Sequence, residues 1–174
     1  MSSIVIVSGC PGSGKTTLSK ALVRSGPQGL HLLSDVFYGF PAEPIEPTSK
    51  ESHHQNTVIM RALARSARAF AEGGYRVVLD GVIGPWFLPA LHDELSGGPT
   101  VSYLALRAPE VEAIRRVRDR EGPGASDRVR HMVYAFADLG AIESHALDTA
   151  GRTVEEVLSL ALQGLVEGRF RLGW

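Results

Sequence analysis

The stretch Gly9-Cys10-Pro11-Gly12-Ser13-Gly14-Lys15-Thr16 satisfies every fixed position of the spacing G-x-x-x-x-G-K-[ST]. That spacing is suited to holding phosphate. Glycines let consecutive backbone N–H groups curl around an anion, the N-terminus of a following helix adds partial positive charge, a lysine reaches the outer phosphates, and a hydroxyl ligates Mg²⁺. Here Lys15 and Thr16 take the last two parts, and Gly9, Pro11, Gly12, Ser13, Gly14, Lys15, Thr16 and Thr17 form the expected nucleotide-binding set. Cys10 occupies a free position of the motif. It reads as a small filler rather than as a thiol activated by the helix end.

Two acids stand where a phosphate site needs them. Tyr75-Arg76-Val77-Val78-Leu79 is an apolar strand ending in Asp80-Gly81, the pattern of a carboxylate that orders Mg²⁺ through water. Its plain alternative is a turn-forming Asp-Gly pair. Hydrolytic enzymes often follow this acid with a glutamate that activates water. Gly81 stands there instead, which favours transfer to a bound hydroxyl. The run Leu30 to Leu33 reads as the second strand and delivers Ser34-Asp35 to its carboxyl end, where ligand crevices of parallel sheets lie. Asp35 is therefore a candidate catalytic group; its plain alternative, which does not exclude catalysis, is to cap the turn Val36-Phe37-Tyr38.

A third cluster is cationic. Arg116 and Arg120 lie four apart on one helix face, ahead of Gly122-Pro123-Gly124 and a restart at Ser126-Asp127. Two guanidinium groups beside such a hinge suit a lid, spanning about residues 116–127, that closes over a γ-phosphate and excludes water. A salt-bridged exposed helix, with Glu112 pairing Arg116, is the competing account, and Arg118 and Arg128 are weaker members of the cluster.

The elements that position these groups follow from periodicity. Ile4 to Val7 reads as a buried strand and Thr17 to Val23 as a helix with Leu18, Ala21 and Leu22 on one face. Gly39 to Pro47, with Pro41, Pro44 and Pro47, is a loop bordering the acceptor side. Thr48-Ser49-Lys50-Glu51 matches a capping box, and Ile59, Leu63, Ala67 and Phe70 continue a long helix to Gly73-Gly74. His53, His54, Gln55 and Asn56 open that helix, as acceptor contacts or as a solvated end. Gly84 to Pro89 carries Trp86 and Phe87, which either wall the acceptor pocket or pack for area alone. Val101 to Leu106 is the fourth strand, and Pro109 starts the arginine-bearing helix. A scaffold helix runs from Ser126 to Gly140, a fifth strand covers Ser144 to Leu147, the turn Asp148 to Arg152 lies near the expected adenine side, and Thr153 caps a last helix. The tail Phe170 to Trp174 packs back on the sheet or frays.

Bulk properties set limits. The 174 residues carry 18 Lys and Arg against 19 Asp and Glu, 44% hydrophobic residues and one cysteine. A net charge of −1 offers no electrostatic case for nucleic acid or membrane, and one cysteine allows no internal disulfide. One α/β domain over residues 1–174, cytoplasmic and either monomeric or a homodimer, is the expectation.

The chain resembles the small P-loop kinases of the group that contains gluconate kinase, shikimate kinase, chloramphenicol phosphotransferase and zeta-toxin-like kinases. The likeness rests on the phosphate loop, Ser34-Asp35, Val78-Leu79-Asp80-Gly81 and the Arg116 to Arg120 pair. It is greatest to bacterial members sharing Ser52-His53-His54-Gln55-Asn56, Leu79-Asp80-Gly81-Val82 and Phe136-Ala137-Asp138-Leu139-Gly140. It implies a three-layer P-loop NTPase fold with a five-stranded parallel sheet, ATP and Mg²⁺ as cofactors, Asp35 as the base or orienter of an acceptor hydroxyl, and Arg120 as the lid arginine. Position 37 is Phe, where shikimate kinases carry a second acid.

The expected activity is transfer of a γ-phosphoryl group from ATP to a hydroxyl of a small polar metabolite or antibiotic, with Lys15, Asp35, Arg116 and Arg120 as the catalytic set. A nucleoside monophosphate kinase is a second possibility, with Arg61, Arg65 and Arg68 as the only candidates for an acceptor-phosphate clamp. A nucleotide-dependent switch without transfer is a third. Asn56 is the sole asparagine, so no Asn-Lys-x-Asp guanine motif exists and adenine is expected over guanine.

Overall fold

The computed structural model of the protein describes residues 3–122, 124 and 126–174. Its central strands are apolar almost end to end, as strands covered on both faces must be. β1 (Ser3–Gly9), β2 (Gly29–Leu33), β3 (Arg76–Asp80), β4 (Thr100–Arg107) and β5 (Ala146–Asp148) form one parallel sheet in the order β2-β3-β1-β4-β5. β1 sits at the centre, with Val5 opposite both Val78 and Ser102.

Alternation along the strands sends side chains into two cores. Ile4, Ile6, Val77, Leu79 and Tyr103 pack on one face under α3 (His53–Glu72), α4 (Leu88–Leu95), α5 (Glu110–Glu121) and α6 (Ser126–Ala135). Val5, Val7, Val78, Leu104 and Leu106 pack on the other under α1 (Lys15–Arg24) and α7 (Val154–Val166). Each Ile, Leu or Val so buried contributes about 1.5–3 kcal/mol. The outcome is the expected three-layer α/β arrangement, the P-loop NTPase fold.

Several local expectations shift. α1 begins at Lys15, two residues earlier than the apolar pattern suggests, because Gly14 at φ +98° turns the chain directly into the helix. Asp35 is not a cap: it lies inside a short helix, α2 (Ser34–Tyr38), after Leu33. The capping box at Thr48–Glu51 does not form. Thr48 Oγ1 donates to Glu46 Oε1 instead, and a 3₁₀ turn over Lys50–Ser52 leads into α3. Phe70 leaves the buried face at 40% exposure and meets Tyr75 edge-on.

α6 ends at Ala135 rather than continuing to Gly140. Residues Gly140–His145 form a 3₁₀ segment, which moves β5 to Ala146–Asp148. The reason is Arg107, whose Nε donates to Phe136 O while its guanidinium grips Glu143, and Glu143 Oε2 in turn accepts from the Leu139 amide. Those bonds hold the chain in a turn where a helix would carry it away. The capping box at Thr153 and Glu156 is present in full.

The tail packs rather than frays. Tyr103 N donates to Phe170 O and Leu172 N to Val101 O, so residues 170–172 cover the edge of β4 that short β5 leaves open, and Phe170 is fully buried.

Candidate active site

Three strands end on one side of the sheet and each delivers a polar group there. β1 leads into the loop 9–15, β2 into Ser34-Asp35, and β3 ends at Asp80. A cavity of about 1000 Å³ opens over these ends. Pro11, Gly12, Gly14, Lys15, Thr16 and Thr17 line it, and so do Asp35, Asp80, Arg116 and Arg120. All four residues expected to act in catalysis therefore face one space. Gly9 and Ser13 do not line it. A side chain at Gly9 would come within 2.4 Å of Leu106 O, and the buried Ser13 hydroxyl has no partner among the described residues.

The loop is braced from outside. At Gly12 (φ +81°) a Cβ would stand 2.4 Å from Ala113 O on α5, so the helix packs directly on the loop backbone. Arg116 Nη1 donates to Gly12 O (3.1 Å), and its Nη2 bonds Glu112 (2.8 Å). Arg116 is thus salt-bridged along its helix, as the competing account expects, and its other terminal nitrogen engages the backbone of the phosphate loop. Arg120 and Arg128 both pair with Glu121, and all three line the cavity. Pro123, the middle of the expected hinge, lies outside the described residues. Gly122, which ends α5, has φ +90°.

Lys15 Nζ donates to Cys10 O (3.0 Å). Burial holds the ammonium below the usual lysine range, and the nearby Asp80, Cys10 and Asp35 only partly offset this. A polyanion beside Lys15 would supply the missing counter-charge. Cys10 is buried, and that burial pushes its thiol up. This is opposite to an activated thiol, so the filler reading stands.

Asp80 is 3% exposed, and Asp80 Oδ2 accepts from His31 Nε2 at 3.0 Å. His31 belongs to β2 and is a residue that sequence reasoning passed over as part of an apolar run. The Thr16 hydroxyl and the Asp80 carboxylate share the cavity and are hard oxygen donors of the kind Mg²⁺ takes. The donor set fits that ion. Gly81 has a steric reason as well: a Cβ there would lie 2.1 Å from Ser34 Oγ. The close approach of α2 to the end of β3 leaves no room for a glutamate.

Two further groups of residues line the cavity. One carries Val82, Trp86 and Phe87, with Trp86 49% exposed and packed edge-on against Phe136 at 5.7 Å. The other carries Thr48, Ser49, His53 and Asn56. The helix-opening cluster therefore divides. His53 and Asn56 face the cavity, whereas Gln55 spends its amide on the Ile45 N–H and C=O (both 2.8 Å), pinning the proline-rich loop. Asn56 Nδ2 donates to Pro47 O, and its Oδ1 is buried with no partner among the described residues. Tyr38, held up to about 12 by burial and by Asp35, lines the same space. His131 and Met132 do so from α6, which is thus more than scaffold.

Arg61, Arg65 and Arg68 do not reach the cavity. The first two grip Glu94 on α4, and Arg68 bonds Glu72 and the carbonyls of Glu94 and Ser96. They tie α3 to α4. No helix among the described residues is long and apolar enough to cross a membrane.

Comparison with solved structures returns the same architecture. A sugar kinase from Janibacter sp. HTCC2649 superposes with a TM-score of 0.71 at 20% identity, over 95% of each chain. A gluconokinase from Sinorhizobium meliloti 1021 gives 0.73 at 18% identity, over 95% of this chain and 93% of the other. The Mycobacterium tuberculosis APS kinase CysC, solved with AMPPNP and APS, gives 0.64 at 17% identity, over 94% of this chain and 97% of the other. Identities this low speak for the fold. No curated protein matches the sequence. The AAA domain family matches residues 5–135, a span running from the phosphate-loop strand through the arginine-bearing helix and α6, and the chain belongs to that family.

Proposed function

We propose that this protein is an ATP-dependent kinase that transfers the γ-phosphoryl group to a hydroxyl of a small polar acceptor. The observation that carries the proposal is the placement of Asp35. It stands at a strand end beside the phosphate loop and Asp80, and the cavity it lines also takes in a mixed polar and aromatic group of residues away from that loop. A hydrolase needs only the phosphate-loop part of that lining. Gly81, crowded by Ser34, also withholds the glutamate that would activate water. The likeness to a sugar kinase and a gluconokinase points the same way.

In this reading the loop amides and Lys15 hold the β- and γ-phosphates. Thr16 and Asp80 would hold Mg²⁺, which would supply charge neutralisation there. Asp35 accepts the acceptor's hydroxyl proton as the new O–P bond forms and the bond between the β-phosphate oxygen and the γ-phosphorus breaks, releasing ADP. Arg116 and Arg120 offset charge on the transferred group. Trp86 and Phe87 wall the acceptor on one side, and His53 with Asn56 bounds it on the other.

A nucleoside monophosphate acceptor finds no support, because its three candidate arginines are engaged with Glu94, Glu72 and backbone carbonyls. The decisive experiment incubates the protein and Mg²⁺-ATP with a metabolite and antibiotic library and looks for mass gain of one phosphate. Lys15→Ala is expected to abolish turnover, and Asp35→Asn to abolish transfer while sparing ATP binding. Full transfer by Asp35→Asn would refute its role. ATP binding with no phosphorylated acceptor would favour a nucleotide-dependent switch.

A further inference from the structure

His31 lies on β2 opposite Val78 in the parallel register, and Leu33 lies opposite Asp80. Alternation puts positions 31 and 33 on one sheet face, so the imidazole reaches Asp80 along the diagonal. Its Nε2 stands 3.0 Å from Asp80 Oδ2. An ionised carboxylate only accepts, so the imidazole is the donor. The pair is sheltered, with side chains 18% and 3% exposed, and no other side chain among the described residues bonds Asp80. Asp80 lines the cavity and His31 does not. Anything His31 does for a ligand it does through Asp80.

We propose that His31 is a positioning residue for the metal-binding carboxylate: by engaging Oδ2 it holds the Asp80 side chain in one orientation and leaves Oδ1 for the metal's coordination shell. The proposal rests on the reading of Thr16 and Asp80 as the Mg²⁺ partners. Outer-shell donors of this kind change metal affinity by about 10–100-fold when removed, because the ligand must otherwise be ordered at the moment of binding. The alternative is that the bond serves only to satisfy a buried acid, and the two differ in what they predict for the metal.

The test uses the full chain with AMPPNP, Mn²⁺ as the probe, and free Mn²⁺ read by electron paramagnetic resonance. His31→Leu is expected to raise the Mn²⁺ dissociation constant about tenfold, with AMPPNP affinity in EDTA unchanged. His31→Gln, which can still donate, is expected to restore Mn²⁺ binding. His31→Asn, too short to reach, replaces the leucine variant should that one fail to fold. Asp80→Asn is the control. If Asp80→Asn weakens Mn²⁺ and the histidine variants do not, His31 is merely structural and the proposal falls alone. If Asp80→Asn leaves Mn²⁺ binding unchanged, the metal reading falls with it. Equal loss of Mn²⁺ and of metal-free AMPPNP binding in His31→Leu would also overturn it.

Discussion

Arg116 on α5 donates to the carbonyl of Gly12 across 104 residues of sequence, so the helix that carries the candidate lid arginines is bonded to the loop that holds phosphate. The carbonyl thus fixed belongs to the residue whose missing side chain lets Ala113 pack against the loop. Shape and charge act on one peptide. A charged donor to a backbone acceptor contributes about 1.5–3 kcal/mol. Arg116→Ala is therefore expected to weaken AMPPNP binding about tenfold or more without unfolding the chain, as read by calorimetry. Gly12→Ala is expected to do worse, because its Cβ has no space and its φ is left-handed. Unchanged affinity in Arg116→Ala would show that the loop holds its shape unaided.

The contact between Gly81 and Ser34 makes a paired prediction. Gly81→Ala forces a Cβ onto Ser34 Oγ, an overlap of the overpacking kind that costs about 1–3 kcal/mol. Ser34→Gly opens that space, so the double variant is expected to be more stable than the two single losses sum to. A double-mutant cycle in urea reads the coupling. Additivity would mean that the backbone relaxes and the crowding is not what excludes a larger residue.

Lys15 sets a pH dependence. Burial lowers its pKa in the free protein, so raising the pH discharges it earlier than an ordinary lysine. Phosphates favour the charged form and raise that pKa again. Nucleotide binding is therefore expected to take up protons at alkaline pH, and affinity is expected to fall as the pH rises through the lowered pKa. Calorimetry in buffers of differing ionisation enthalpy measures the uptake. Its absence, or its persistence in Lys15→Ala, would place the titration elsewhere.

Gln55 separates the acceptor wall from the nucleotide site. Its amide closes two 2.8 Å bonds with Ile45 and pins the loop that carries Glu46 to Lys50 along the cavity. These bonds are exposed, so Gln55→Ala is expected to leave global unfolding almost unchanged and to speed hydrogen exchange at the Ile45 amide. AMPPNP affinity is expected to hold. A loss of nucleotide binding would show that loop and phosphate site are coupled.

Glu143 gives a second pH dependence, this time in stability. Arg107, with help from the Leu139 amide, lowers its carboxyl from 4.5 to about 2. A carboxylate with a depressed folded pKa contributes stability that is present above the unfolded value and lost as the pH falls toward 2. Glu143→Gln is expected to lower the melting temperature at pH 7 and to make little difference near pH 2.

What the sequence determined by itself were the features that are local in the chain. The phosphate loop is contiguous, so its glycines, Lys15 and Thr16 are legible without a fold. The central strands announce themselves because parallel strands covered on both faces read as apolar runs, whereas the short fifth strand begins two residues later than Ser144 to Leu147 suggests. Asp35 and Asp80 follow from the rule that such strands end at the ligand side. Everything that depends on packing between distant segments waited for the tertiary structure. A lone histidine in Leu30-His31-Leu32 carries no sign that β3 will bring an acid beside it 49 residues later. Likewise, Arg61 and Arg65 look available until α4 supplies Glu94. The early end of α6 depends on Arg107 and Glu143, and the tail's place depends on the edge that a three-residue β5 leaves uncovered. Periodicity records which face of an element is buried. It does not record which polar groups that burial will bring within hydrogen-bonding distance, and the second half of this site consists of such meetings.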